Sequence, residues 1–262
     1  MKNFIWCFIF TTIISCNNKT GKEKPSMPGA YLMTSQILND GSKDMQYPTR
    51  KQLKIFTEDF VMYAQVNTLD SVSSFGVGSY TADTGTVFEH IVYRGVDTTY
   101  NAAPVTYKLN ITKTPDGYEQ VIPEIPLNSK NYRLTEIYQA VGSNEKSPLD
   151  GIWKETNSYI LRGNDTAKNN RTQFKAFFAG NFIFGHTVRD SASKIHTGIG
   201  FGTFKMVGDN KVTETDLNST YQIIAGQSFN VDIELSGTDH YKQIITGADG
   251  SKSVEFYKRL KK

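Results

Sequence analysis

The chain has 262 residues, of which 38% are hydrophobic and 12% aromatic, and its formal net charge is +3. At roughly 150 residues for each domain this length suggests about two domains, and the hydrophobic share suffices for a packed core. The small charge is spread along the chain and forms no basic patch or stripe of the kind that binds nucleic acid, so we expect no nucleic-acid partner.

The N-terminal segment predicts export and lipidation. A basic start at Lys2 precedes an apolar run, residues 4–15, which is too short to span a bilayer. The run ends in Ile-Ile-Ser-Cys at residues 13–16, which resembles the lipobox of bacterial lipoproteins. The resemblance implies that a signal peptide, residues 1–15, is cleaved before Cys16 and that Cys16 is lipidated. The alternative is an ordinary signal peptide with a chance cysteine.

Cysteine usage agrees with a lipid anchor. The two cysteines are Cys7, which cleavage would remove, and Cys16, which lipid would consume. The folded part would then contain no disulfide and depend on its core, and the acyl chains on Cys16 would attach it to a membrane.

Asn17 follows the cysteine in place of aspartate. By resemblance to lipoprotein sorting rules this gives no signal for inner-membrane retention, and we expect the periplasmic face of the outer membrane.

A first module is predicted over residues 29–141, after a polar segment, residues 16–28, that predicts a flexible tether. Residues 105–112 alternate between apolar and polar side chains, which is typical of a half-buried strand. The preceding strand is predicted to place Glu89 and Tyr93 on one face. Glycines in residues 74–80 predict a bend or a close backbone approach rather than a nucleotide-binding loop, because no helix follows.

A second module, residues 151–262, repeats the first after a short linker, residues 142–150. The paired strands in residues 52–66 match those in residues 173–188, where two strands join at residues 179–181. The later strands match in the same order: residues 77–80 with 201–204, 87–89 with 212–214, 105–111 with 229–235, and 135–141 with 254–260. The spacing between matched residues stays nearly constant, which indicates a tandem duplication.

Each module contains about eight short strands separated by turn signals, and no helix is predicted. This pattern favours an all-β fold of two tandem antiparallel up-and-down barrels, with a sandwich as the alternative. An eight-stranded barrel encloses an interior that side chains fill or that holds one small ligand.

Several short motifs, read in order, resemble those of lipocalin-like (calycin-type) modules in envelope lipoproteins of Bacteroidetes-type bacteria. In the second module they are Gly-x-Trp at residues 151–153, Lys-x-Phe at 175–177, Gly-Thr-Phe at 202–204, Val-x-Glu at 212–214 and Glu-Phe-Tyr-Lys-Arg at 255–259. The first module departs from the pattern, with Tyr31 and Ala140 where the second has Trp153 and Arg259. The resemblance implies a small eight-stranded barrel and a lipophilic ligand, without a settled activity.

Charged and aromatic residues at matched positions are the candidate ligand-binding residues. If their strand faces point inward, they would anchor a ligand carboxylate or hydroxyl among aromatic rings. An internal ion pair that fixes the register, a filled aromatic core, or side chains that face water are the alternatives; outward aromatics could also pack one module against the other. The candidates are Lys54, Phe56, Tyr80 and Glu89 in the first module and Trp153, Lys175, Phe177, Phe204, Glu214, Tyr257 and Arg259 in the second.

Other chemistries have less support in the sequence. The four histidines form no close metal-ligand pair, and no thiolate would remain to help them, so we expect no metal and no cofactor. The sequence contains no Gly-x-Ser-x-Gly nucleophile elbow, and we expect a protein that is not an enzyme. We expect it to bind a small hydrophobic molecule. The alternatives are a scaffold with filled barrels and an unknown protein partner, or an isomerase or hydrolase that uses Glu89 or Glu214.

Overall fold

The structure is a computed structural model that describes residues 25–46, 50–67, 73–96, 99–101, 104–127, 129–143 and 145–262. The predicted signal peptide, Cys16 and the predicted tether up to residue 24 lie outside the described residues. The described part of the chain contains no helix long and apolar enough to span a membrane.

The regular structure in the described residues consists of β-strands, which we number in chain order. The strands of the first half are β1 (Gly29–Asn39), β2 (Asp44–Gln46), β3 (Arg50–Phe56), β4 (Phe60–Asn67), β5 (Ser74–Asp83), β6 (Thr86–Val96), β7 (Thr99–Asn101), β8 (Val105–Thr114), β9 (Gly117–Leu127) and β10 (Lys130–Val141). Those of the second half are β11 (Gly151–Arg162), β12 (Asp165–Lys168), β13 (Arg171–Phe178), β14 (Asn181–Arg189), β15 (Ile195–Met206), β16 (Lys211–Ser219), β17 (Ser228–Ser236), β18 (His240–Thr246) and β19 (Lys252–Arg259).

Eight antiparallel strands close each of two barrels. In barrel 1 the order is β1, β3, β4, β5, β6, β8, β9 and β10, and β10 pairs back onto β1. In barrel 2 the order is β11 followed by β13 to β19, and β19 pairs back onto β11. The short strands β2, β7 and β12 pair with β1, β6 and β11 outside these circuits. The predicted all-β fold of two tandem antiparallel barrels is confirmed.

Alternating side chains set the inner and outer faces of each barrel. In β8, Leu109 and Ile111 are buried whereas Lys108 and Asn110 are exposed, as the sequence predicted. β17 repeats the pattern with Val231 buried inside. The alternation makes every second residue of a strand a wall of the barrel interior.

A glycine bulge in each barrel changes which side chains point inward. The register shifts at Gly78 in β5 and at Gly202 in β15. A Cβ on Gly78 would lie 2.0 Å from the carbonyl oxygen of His90, so the close backbone approach predicted within residues 74–80 is confirmed. A Cβ on Gly202 would likewise lie 1.9 Å from the carbonyl oxygen of Thr215. The shift in β6 leaves Val92 exposed and turns Tyr93 to the outer face. The prediction that Tyr93 shares the face of Glu89 was therefore wrong, because it ignored the bulge.

One end of each barrel is closed by an apolar residue that precedes its first strand. Met27, within the segment predicted as tether, is 2% exposed and packs inside barrel 1. Leu149 is 1% exposed at the same end of barrel 2, where its carbonyl oxygen accepts a hydrogen bond from Trp153 Nε1 at 2.7 Å. The folded part therefore begins before Gly29, and we call these the closed ends.

The outer faces of β3 to β5 and of β13 to β15 pack against each other in a shared hydrophobic core. Phe75 of barrel 1 lies so close to β14 that a Cβ on Gly185 would be 2.5 Å from its ring. Tyr93 and Phe174 place their ring centroids 4.9 Å apart across this interface. The apolar run in residues 173–188 reflects this packing, because strands that are buried on both faces carry nearly continuous hydrophobic residues.

Candidate functional site

The interior of barrel 1 contains a chain of buried polar side chains. Lys54 Nζ donates hydrogen bonds to Glu89 Oε1 at 3.0 Å and to Gln120 Oε1 at 3.1 Å. The Gln120 amide donates to Glu136, which also accepts a hydrogen bond from the hydroxyl of Tyr138 at 2.8 Å. Each of these polar groups is satisfied by another, as buried polar groups require.

Barrel 2 repeats this chain residue for residue. Lys175 Nζ donates to Glu214 Oε1 at 2.6 Å and to Gln243 Oε1 at 3.2 Å. The Gln243 amide donates to Glu255 at 2.7 Å, and the hydroxyl of Tyr257 donates to the same carboxylate. The duplication therefore preserved a hydrogen-bonded network as well as a fold.

The sequence predicted the lysine and the first glutamate of each network, and also Tyr257. The members that it missed are Gln120, Glu136 and Tyr138 in barrel 1 and Gln243 and Glu255 in barrel 2. Both copies carry Glu-x-Tyr in the closing strand, at residues 136–138 and 255–257. Because strand residues two apart share a face, this repeated motif was the available signal. Gln120 and Gln243 also stand in a repeated motif, Tyr-x-Gln followed by two aliphatic residues at 118–122 and 241–245, which was a second available signal.

Barrel 2 contains a cavity of about 320 Å³ at the end remote from Trp153. Aromatic and aliphatic side chains form part of its wall, and eight polar or charged side chains, four of them from the polar network described above, form the rest. Tyr221 and Ile224, from the turns between β16 and β17, reach its mouth. The apolar lining residues are Phe182, Phe184, Ile224, Phe229, Val231 and Ile245.

Glycines on β15 help to make this space. A Cβ on Gly200 would lie 2.2 Å from the ring of Phe184, and one on Gly198 would lie 2.4 Å from His186 Nε2. Side chains at these two inward positions would fill the volume into which the aromatic rings now turn. The cavity thus depends on residues that contribute no side chain to it.

Both cationic side chains that line the cavity form ion pairs. Arg171 lies 2.8 Å from Glu155 and 2.8 Å from Glu255, and Lys175 is paired with Glu214. Burial alone would raise the pKa of Glu255, but Arg171 and Lys175 outweigh this effect and lower it. Arg171 and Lys175 are thus neutralised before any ligand enters.

Asp216 and His186 are the lining residues with unsatisfied polar atoms. Asp216 is 2% exposed, and its Oδ1 has no hydrogen-bond partner among the described residues. Nδ1 of His186 also has no hydrogen-bond partner among them, whereas its Nε2 lies 2.8 Å from the Tyr221 hydroxyl. Burial and the neighbouring Glu214 raise the pKa of Asp216 to about 7. Burial, with a contribution from Arg171, lowers the pKa of His186 to about 4, so this imidazole is neutral at pH 7.

The predicted residues of barrel 2 fall into two groups. Lys175 and Glu214 line the cavity, and Tyr257 connects to them through the network. The others belong to the packed closed end, where Trp153, Phe177 and Phe204 lie in the core. The Arg259 guanidinium stacks 4.0 Å from the centroid of the Trp153 ring. It also donates hydrogen bonds to the backbone oxygens of Pro148, Asp150 and Thr238.

The interior of barrel 1 has bulkier residues at the positions that line the cavity of barrel 2. By strand register, Tyr63 stands where barrel 2 has Phe184, Tyr107 where it has Phe229, and Ile91 where it has Asp216. Arg94 Nη1 donates to the Tyr107 hydroxyl at 2.6 Å in this region.

The predicted residues of barrel 1 lie within its packed interior. Lys54 and Glu89 form a pair in which each side chain is 3% exposed. Phe56 and Tyr80 pack edge to face with their ring centroids 5.1 Å apart.

The described residues contain no group of three or more His, Cys, Asp or Glu side chains that could hold a metal ion. No family model matches the chain, and comparison with the curated proteins finds no match. The likeness to lipocalin-like proteins is therefore supported by the architecture alone, which consists of two tandem eight-stranded antiparallel barrels.

Proposed function

We propose that the protein binds a small molecule with an apolar body and a polar group in the cavity of barrel 2. The observation that carries this proposal is the cavity itself, whose wall combines aromatic and aliphatic side chains with a fixed polar network. Small-molecule sites are usually mostly apolar, with a few placed polar groups and volumes of about 300–1,000 Å³. The volume of about 320 Å³ suits a small ligand.

Barrel 1 has a structural role in this proposal. Its Lys54–Glu89 pair and its tyrosines occupy the interior that a ligand would need, and its outer face supports the strands that wall the cavity. The pair in barrel 1 then acts as an internal ion pair that fixes strand register, the alternative that the sequence analysis left open.

We also propose that the protein is an envelope lipoprotein of Bacteroidetes type, held by lipid on Cys16 at the periplasmic face of the outer membrane. The lipobox-like sequence and the lipocalin-like motifs support this location. Metabolic labelling with a fatty acid tests it: we expect label on the wild-type protein and none on Cys16→Ser. Equal labelling of both would contradict the lipid anchor.

Native mass spectrometry tests ligand binding. Residues 19–262, which include both complete barrels, are purified from bacterial cells without detergent and then incubated with an apolar dye. We expect an added mass that is lost on denaturation. Val231→Phe fills the cavity and should abolish the added mass. Val207→Phe, the same change at an exposed position, should leave the added mass unchanged. A bare protein mass throughout would contradict the proposal.

Acid–base catalysis is a second candidate, favoured by one observation. The pKa of Asp216, raised to about 7, suits a group that exchanges a proton near neutral pH. If the protein were an isomerase or hydrolase, a molecule bound in the cavity would change mass or structure on incubation, and Asp216→Asn or Glu214→Gln would stop this change. We expect the bound molecule to remain unchanged.

A further inference from the structure

We propose that the cavity of barrel 2 selects ligands that carry a protonated amine. The ammonium group would donate an ion-paired hydrogen bond to Asp216 Oδ1. This inference rests on the proposed binding function and adds the class of polar group. The group that lacks a partner is an acceptor: Asp216 lines the cavity, is 2% exposed, and receives one backbone hydrogen bond from Asn218, while its Oδ1 receives none from the described residues. A buried acceptor gains most from a ligand that brings a donor.

The charges around the cavity favour a cation over an anion. Arg171 is held between Glu155 and Glu255, and Lys175 between Glu214 and Gln243. A ligand carboxylate would have to displace one of these carboxylates from its cation and would face the others at close range. An ammonium group would instead meet Asp216, which forms no salt bridge among the described residues although the charge of Lys175 lowers its pKa, and would disturb none of these pairs.

Aromatic rings beside Asp216 also suit a cation. A Cβ on Gly200 would lie 2.8 Å from Asp216 Oδ2 and 2.2 Å from the ring of Phe184, which places this carboxylate next to that ring. The rings of Phe184 and His186 are stacked with their centroids 6.3 Å apart. A cation between a carboxylate and an aromatic face gains from both. The apolar body of the ligand would then lie against Val231 and Ile245.

Barrel 1 provides an internal comparison. Ile91 occupies the position of Asp216, and among the described residues the interior contains Arg50, Lys54 and Arg94 together with Glu89 and Glu136. In barrel 2 the carboxylates outnumber the cations instead. The two interiors therefore share one polar network but differ at the position of Asp216, where the described part of barrel 1 has an aliphatic side chain.

Binding should strengthen as pH rises through neutrality. The pKa of Asp216 is about 7 in the unliganded protein, and an ammonium ion binds its ionised form. The groups that face it respond differently: Lys175 and Glu214 form an ion pair, Arg171 and Glu255 form another, and His186, with a pKa of about 4, stays neutral above pH 5. An alkylammonium stays charged to about pH 10, as lysine does. Between pH 5.5 and pH 8 the affinity should therefore rise about tenfold or more.

Calorimetric titration of residues 19–262 with hexylamine, hexanol and hexanoate tests the inference, because the three probes share one apolar chain. At pH 8 we expect hexylamine to bind at least tenfold more tightly than the other two. Asp216→Ile, the residue that barrel 1 carries, and Asp216→Asn should remove this preference and its pH dependence while hexanol still binds. Near-ultraviolet circular dichroism shows that the variants are folded.

The outcomes separate this inference from the proposed function. Equal binding of the three probes, or tighter binding of hexanoate, would overturn the inference and leave a cavity that binds apolar molecules. A preference for hexylamine that survives both substitutions would overturn the role of Asp216. Failure of all three probes to bind at pH 8 would overturn the proposed function together with the inference.

Discussion

At the scale of single residues, the same ion pair stands in two different surroundings. The Lys54 and Glu89 side chains are each 3% exposed among the packed side chains of barrel 1, whereas Glu214, the partner of Lys175, is 11% exposed beside a cavity. Loss of one partner leaves the other charge buried, and the cost depends on whether water can reach it. The two barrels therefore offer a comparison in which the chemistry is constant and the solvation differs.

We predict that Lys54→Met destabilises the protein more than Lys175→Met. The first change strands Glu89 in a packed core and should cost about 3–5 kcal/mol. The second leaves Glu214 next to the cavity, where water can solvate it, and should cost about 1–3 kcal/mol. Urea unfolding measures both free energies. Equal losses would show that the interiors do not differ in hydration.

We predict that Asp216→Asn stabilises the protein at pH 8 and not at pH 4. The folded-state pKa of Asp216, about 7, exceeds the ordinary value of 3.8, so the folded protein binds more protons than the unfolded chain between these values. Stability is therefore lost as pH rises through this window. The variant escapes this loss, which we expect to be on the order of 2 kcal/mol after allowance for screening by water.

Measurement of both proteins across the pH range isolates this contribution. His186 acts in the opposite direction, because its folded-state pKa of about 4 lies below the ordinary 6.5 and stability is gained as pH rises between them. This gain occurs in the wild type and in Asp216→Asn alike and cancels in the difference. A stability difference that stays constant from pH 4 to pH 8 would contradict the prediction.

At the scale of elements, the bulge between β15 and β16 fixes the cavity wall. The register shift at Gly202 leaves Leu217 on the outside and ends the inward face of β16 at Asp216. Without the shift, alternation would continue along the strand and different side chains would enter the mouth of barrel 2. A glycine is needed because of the carbonyl oxygen of Thr215, which leaves no room for a Cβ.

We predict that Gly202→Ala lowers both stability and affinity. The new methyl group would force β15 and β16 apart and should cost about 1–3 kcal/mol in the free energy of unfolding. The displacement of Asp216 should weaken hexylamine binding by more than tenfold. Thr203→Ala, an exposed change one residue away, should alter stability by less than about 0.5 kcal/mol. Unchanged binding by a folded Gly202→Ala variant would contradict this account.

At the scale of the whole molecule, the two barrels share one outer core and should unfold together. Phe75 is fully buried in this core, against Gly185 of the other barrel. We predict that Phe75→Ala costs about 3–5 kcal/mol and splits a single calorimetric transition into two. The ratio of calorimetric to van't Hoff enthalpy should be near one in the wild type and larger in the variant. Two resolved transitions in the wild type would show that the barrels are independent.

The sequence predicts this architecture well because the duplication presents each strand pattern twice. The Lys54–Glu89 and Lys175–Glu214 pairs were also within reach, since their motifs recur at matched positions. The cavity was not predictable, because inward glycines stand at matched positions in both barrels, Gly76 and Gly200, and the space that remains depends on the rings of neighbouring strands. Asp216 escaped notice for a related reason: barrel 1 has Ile91 at its position, so the internal repeat that marked the other residues does not mark it.

The account as a whole depends on a hollow barrel 2 beside a filled barrel 1, and methyl NMR during a hexylamine titration at pH 8 tests this most directly. Val231 and Ile245 line the cavity, and Leu109 and Ile122 are their counterparts in barrel 1. We predict saturable shifts of the Val231 and Ile245 methyl signals, with the Leu109 and Ile122 signals unmoved. Shifts in barrel 1 alone, equal shifts in both barrels, or none in either would contradict the account.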